Sequence, residues 1–115
     1  GESVLEIGSG SGFFAACLQR MGGLVRTIDL YPELATFAQQ NLRQAGYAGV
    51  TVVNADAMQW SDRESYDVIV LTASLPEYDE RWQRSLKVGG RLFAVVGQGA
   101  AMEALLVTRA GDREF

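Results

Sequence analysis

Residues 4–18 read VLEIGSGSGFFAACL, with Gly8, Gly10 and Gly12 packed into five positions directly behind an apolar run. Ordering a glycine costs more conformational entropy than ordering any other residue. A cluster of them marks a place where side chains would stand in the way. The apolar run before it has the length of a buried strand, and Phe14, Cys17, Leu18 and Met21 behind it recur at helical spacing. Strand, bare loop and helix in that order are the opening of an α/β unit whose loop lets a ligand touch the backbone.

Outward from this stretch the pattern repeats. Residues 3–7 form the first expected strand and residues 12–21 the first helix. Gly22 and Gly23 stop that helix, and residues 24–28 make the second strand. Pro32 suits the first turn of a second helix, because its missing N–H would be unpaired there anyway. Leu34, Phe37, Ala38, Leu42 and Ala45 line its expected apolar face, and Gly46 is placed to end it. Residues 50–54 and 66–72 read as the third and fourth strands, and 78–86 as a short helix. Gly89 and Gly90 turn the chain into a strand at 91–97, and a last strand is expected at 102–108. The runs VIVL and LFAVV do not alternate, as expected of strands covered on both faces. The expected fold is therefore α/β, doubly wound and Rossmann-like, with a mostly parallel sheet and helices on both faces. It forms one domain over residues 1–115 that is incomplete at both ends.

Composition narrows the function. An apolar fraction of 48% is that of a globular chain rather than a disordered one. A net charge of −4 with scattered Lys and Arg argues against a nucleic-acid footprint. No apolar run approaches the ~18 residues of a membrane span. Cys17 is the one cysteine, so no internal disulfide and no zinc cluster can form, and no metal site is expected. Cys17 is expected to be a small buried thiol. These features fit a reducing compartment, the cytoplasm. Trp60 and Trp82 are expected to be packing groups.

In doubly wound sheets ligands sit beyond the carboxyl ends of the strands. There the sequence places the Gly8–Gly12 loop, then Asp29, then Asp56, then Thr72 and Ala73. A lone Asp behind a strand is often only a turn former. Asp29, however, lies 21 residues after Gly8, the distance from a glycine loop to a ribose-binding acid. A nucleoside-type ligand fits this set. The N–H groups of Gly12 and Phe13 can face an anion, and Asp29 can accept from two ribose hydroxyls. Asp56 can accept from an exocyclic amine opposite the Ala57 N–H, and Leu30 and Met58 can wall an adenine ring. Tyr31 either covers the adenine edge or caps the second helix. The dinucleotide pattern G-x-G-x-x-G/A fits only from Gly10, two residues late. Counted from Gly8, its sixth position is Phe13, whose ring would block close helix–strand packing. Glu6 would repel a pyrophosphate but suits an ammonium or sulfonium. The pattern favours S-adenosylmethionine over a nicotinamide dinucleotide, and Glu6 as a loop-bracing acid is the simpler alternative.

The segments VLEIGSGSG, TIDLYPEL, NADA, YDVIVLTASLPE and LKVGGRLFAVVG, in this order, resemble class I S-adenosylmethionine-dependent methyltransferases. More narrowly, they resemble the protein-L-isoaspartate O-methyltransferases. The resemblance implies that Glu6, Gly8, Ser9 and Gly10 meet the methionine part of the cofactor and that Asp29 holds the ribose. It places Asp56 and Ala57 at the adenine, and Thr72 and Ala73 at the reaction centre. The implied partner is a protein or peptide with an isoaspartyl residue. Asp29 stands where that family has Glu, Phe13 where it has Tyr, Ala57 where it has Gly, and Asp79 where it has Pro. The alternatives are a methyltransferase for another acceptor and a non-catalytic module that only binds the cofactor. Nothing in the sequence fixes an oligomeric state.

Overall fold

A computed structural model describes residues 1–8, 12–56, 66–75, 81–96, 103–111 and 113–115. Ser9, Gly10, Ala57, Met58 and Trp60 lie outside the described residues, and of Thr72 and Ala73 only the backbone is described. Six strands form one sheet: β1 (Ser3–Ile7), β2 (Leu24–Asp29), β3 (Thr51–Asn54), β4 (Tyr66–Leu75), β5 (Leu86–Val96) and β6 (Glu103–Thr108). Helix α1 (Phe13–Arg20) joins β1 to β2, α2 (Pro32–Gln44) joins β2 to β3, and α3 (Arg81–Arg84) is one turn before β5. The strand order is β3-β2-β1-β4-β5-β6; β1 to β5 run parallel and β6 antiparallel to β5. The chain thus winds from β1 out to β3, then returns to place β4 on the other side of β1. Strand order reverses at the β1–β4 seam, where doubly wound sheets open a crevice at the carboxyl ends.

Each face of the sheet has its own core. Val4, Val25 and Val52 point to the α1–α2 side, packed with Ala15 and Leu42. Leu5, Ile69 and Leu92 point to the other side, packed with Trp82 of α3. Those three strand residues are fully buried, and each such side chain contributes about 1.5–3 kcal/mol. Trp82 is a packing group, as expected. Among the described residues no helix is long and apolar enough to cross a membrane.

Several sequence expectations need correction. α1 turns Ala15 inward, while Phe14 and Met21 stand exposed and Cys17 is only half-buried. α2 buries Ala35, Ala38 and Leu42, and leaves Leu34, Phe37 and Ala45 outside. The cause is closeness: a Cβ on Gly12 would lie 3.0 Å from Leu42 Cγ and 3.2 Å from the Ala38 carbonyl oxygen. Helices this close put small residues at the contact and displace large ones to its flanks. Gly89 and Gly90 do not break the chain between a helix and a strand. Both lie within β5, where the pairing with β4 jumps from Tyr66↔Leu86 to Val68↔Arg91. Three extra residues on β5 are accommodated there as a bulge, and Leu86 opens the strand instead of closing a helix.

Candidate functional site at the carboxyl ends of β1, β2 and β3

β1 ends with Glu6 and Ile7, and the parallel register sets Glu6 beside Thr27 of β2 on one side and Val70 of β4 on the other. Alternation along β1 turns Glu6 to the α1–α2 face, the side of Val4. Both Glu6 and Thr27 are fully buried. The Thr27 hydroxyl donates to Glu6 Oε1 at 2.7 Å, and Glu6 Oε2 has no hydrogen-bond partner among the described residues. Burial pushes the Glu6 carboxyl up to about 7, against the pull of the Thr27 hydroxyl, and the negative charge of Asp29 adds to the rise. A carboxylate with an idle buried oxygen is costly unless something supplies a donor.

The glycine loop leaves β1 at Gly8, whose φ is +103°, a backbone that side-chain-bearing residues rarely adopt. The Gly8 N–H donates to the Ile28 carbonyl at 2.7 Å, which pins the start of the loop to the end of β2. At the far side of the loop Gly12, φ +87°, precedes α1, and no side chain caps that helix. Gly12 is bare because α2 presses against it, which is a reason in packing and separate from any ligand. A cavity of about 450 Å³ between α1 and α2 is lined by Phe13, Cys17, Asn41 and Tyr47 and shares only Gly12 and Phe13 with the predicted site. It is a groove between helices, away from the strand ends.

Asp29 closes β2 and is nearly buried. Its Oδ1 accepts the Tyr31 N–H at 3.0 Å, so it does form a turn, as a lone Asp often does. Its backbone is held as well. The Asn54 side-chain amide donates to the carbonyls of Asp29 and Leu30, both at 3.0 Å, and the Ala55 N–H donates to Asp29 O. Leu30 and Tyr31 stand about half exposed beside it, an open apolar edge next to a buried acid. Tyr31 occupies the N-cap position of α2, where its carbonyl accepts the Ala35 N–H at 3.0 Å, but its side chain makes no capping hydrogen bond. Asp56 is half-buried just past β3.

The structure therefore brings Glu6, Gly8, Gly12, Asp29, Leu30 and Asp56 to one rim, with the β4 backbone at Thr72 and Ala73 across the seam. Thr27 and Asn54 were missed from sequence. Thr27 could have been found as the polar residue inside the strand LVRTID, and Asn54 as a strand-averse residue closing TVVN. The residues present suit S-adenosylmethionine: an idle buried carboxylate oxygen for a cation, an uncapped helix for a carboxylate, and a buried acid beside an apolar edge for a nucleoside.

A family model described as protein-L-isoaspartate(D-aspartate) O-methyltransferase matches residues 1–115. The chain is 38% identical to the protein-L-isoaspartate O-methyltransferase of Staphylothermus marinus, over 100% of this chain and 56% of that protein. It spans about half the length of the curated relatives it matches. A solved protein-L-isoaspartate O-methyltransferase is similar with a TM-score of 0.79 and 31% identity, over 92% of this chain and 35% of the other. A methyltransferase of Geobacter sulfurreducens, solved with S-adenosyl-L-homocysteine, gives 0.73 and 25%, over 83% and 41%.

Proposed function

Since the chain belongs to the protein-L-isoaspartate(D-aspartate) O-methyltransferase family, we propose that it is the cofactor-binding part of an enzyme that methylates the side-chain carboxyl of altered aspartyl residues in proteins. The observation that carries this reading is Glu6, a fully buried carboxylate with one idle oxygen at the foot of a glycine loop. In this reading Glu6 meets the ammonium of the cofactor's amino-acid end, Gly8, Ser9 and Gly10 lie along that end, and the N–H at Gly12 faces its carboxylate. Asp29 accepts from the ribose hydroxyls and Leu30 walls the adenine, with Asp56 and Ala57 at its polar edge. Thr72 and Ala73 line the reaction centre in this reading.

S-adenosylmethionine supplies a methyl group on a sulfonium, an electrophile that needs no metal to activate it. The acceptor carboxyl is ionised at neutral pH, so no residue has to remove a proton from it. The absence of histidine from the chain therefore costs this chemistry nothing. The residues bind, orient and exclude water, and positioning alone supplies about 7–11 kcal/mol in favourable cases. The lone thiol fits work in the cytoplasm.

Calorimetric titration with S-adenosylhomocysteine, beside NAD, tests the reading. The first is expected to bind and the second not; a folded chain that binds neither overturns the assignment. Transfer of labelled methyl to an isoaspartyl peptide by the full-length protein then tests the acceptor.

A further inference from the structure

On the α1–α2 face of the sheet one register row carries Val68, Val4 and Val25, a continuous apolar layer. One step toward the carboxyl ends that layer is interrupted by a register-matched polar pair, Glu6 and Thr27. Both are fully buried, and the hydroxyl lies 2.7 Å from the carboxyl oxygen. Stability does not explain the pair. Two valines would extend the layer already built, whereas a buried carboxylate with a single donor is a cost.

We propose that Thr27 is a positioning residue for cofactor recognition: its hydroxyl occupies one oxygen of Glu6 and turns the other toward the cofactor's ammonium, and filling the site drives the proton from Glu6 into solvent. The inference rests on the reading that Glu6 meets that ammonium. Thr27 is held by the parallel ladder between β1 and β2, so its hydroxyl is fixed before any ligand arrives. In the free site burial and Asp29 both disfavour the charge on Glu6 and favour its protonated form. The incoming cation reverses that balance. The carboxyl O–H gives its proton to buffer, and the carboxylate faces the ammonium.

Among the described residues the charged and titratable neighbours are few. Asp29 on β2 is the acid that acts on Glu6. β4 sets Val70 opposite it. α1 carries Cys17 and Arg20, which line the groove between the helices. α2 carries Glu33 and Arg43, both exposed, and Asp56 follows β3 half-buried.

The test is calorimetric titration of the full chain with S-adenosylhomocysteine, on either side of pH 7 and in buffers of different ionisation heat. Below the value of about 7 to which burial raises Glu6, the wild-type chain should bind more weakly and release about one proton per ligand. Thr27→Val should weaken binding about tenfold at neutral pH, the scale of one hydrogen bond to a charged group. It should also move the midpoint of the pH profile upward, because the hydroxyl that favours the charged form is gone. Thr27→Ser should restore both. A merely structural threonine would not move the midpoint. If Glu6→Gln loses affinity while Thr27→Val keeps the wild-type profile, Glu6 acts alone and the proposal fails, though the cofactor reading stands. Binding to the wild-type chain with no proton release below pH 7 also overturns it. If the wild-type chain ignores the probe, the cofactor reading falls and this inference with it. Should Thr27→Val not fold by circular dichroism, Thr27→Ser and the wild-type proton count decide.

Discussion

At the amino end of the sheet Asp67 accepts from the Ser3 N–H at 2.8 Å and the Ser3 hydroxyl at 3.1 Å, and Lys87 stands 3.5 Å away. The Ser3 backbone N–H, first among these, holds its carboxyl below the ordinary aspartate range. At the carboxyl end of the same paired strands Glu6 has one donor, one idle oxygen and a carboxyl pushed up to about 7. One acid is on a half-exposed rim and supplied with donors. The other is sealed inside and left short of them. The amino end joins β1, β4 and β5; the carboxyl end keeps an unmet demand that a ligand can satisfy. Within one sheet, a well-supplied acid and an under-supplied one stand at opposite ends of the strands.

The largest effect expected from breaking that comparison lies at the amino end. A Cβ on Gly90 would lie 2.8 Å from the Lys87 carbonyl oxygen, 2.9 Å from that of Asp67 and 3.0 Å from that of Tyr66. Three backbone oxygens cannot step aside without undoing the bulge. Gly90→Ala is expected to cost about 3 kcal/mol in urea unfolding. It should leave cofactor affinity unchanged in whatever fraction stays folded. A loss of affinity greater than the loss of folded protein would show that the two ends are not separable.

Next in size is the pH dependence of stability carried by Glu6. Its folded value, about 7, lies above the ordinary 4.5, so the folded chain holds the proton more tightly than the unfolded one. The contribution is therefore fully present below pH 4.5, declines as pH rises, and is lost above about 7. The span is about 3 kcal/mol at most. Glu6→Gln should remove this decline and leave the unliganded variant about 2 kcal/mol more stable than wild type at pH 8, while weakening S-adenosylhomocysteine. Urea unfolding at pH 5 and pH 8 measures the difference. Equal slopes in variant and wild type would mean that Glu6 is not buried as described.

The smallest effect belongs to Asp67, and its sign is opposite. Its folded value is lowered, so its contribution is present above the unfolded value of 3.8 and lost as pH falls through the folded one. Asp67→Asn should cost about 1 kcal/mol at neutral pH, because solvent screens this rim. The cost should shrink in acid. A neutral-pH cost larger than the Glu6 effect would invert the comparison.

The same two ends show what sequence reasoning reaches. Strand positions were legible because runs such as VLEI and VIVL leave no other reading, and the rim followed from them. Glu6 was found because a carboxylate inside an apolar run is conspicuous. Thr27 was not, because a β-branched hydroxyl residue is ordinary in a strand. Its contact with Glu6 exists only once the register sets the two side by side. Helix faces went astray at Phe14 and Phe37 for a different reason. Periodicity ranks residues by apolarity, whereas α1 and α2 selected for size, with Ala15 and Ala38 wholly buried and both phenylalanines outside. Gly89 and Gly90 looked like a turn because a bulge of three residues and a tight turn ask the same of local sequence.

The antiparallel strand β6 stands last in the described sheet, with Leu106 63% exposed on it. A terminal strand offers unsatisfied peptide groups to any extended chain, and natural sheets guard such borders with charge, proline or a covering element. EALLVT has its one charged side chain at its first position and no proline. In practical terms, this is the border along which concentrated solutions of the isolated chain would stick together, and the first place to install a lysine before crystallising it.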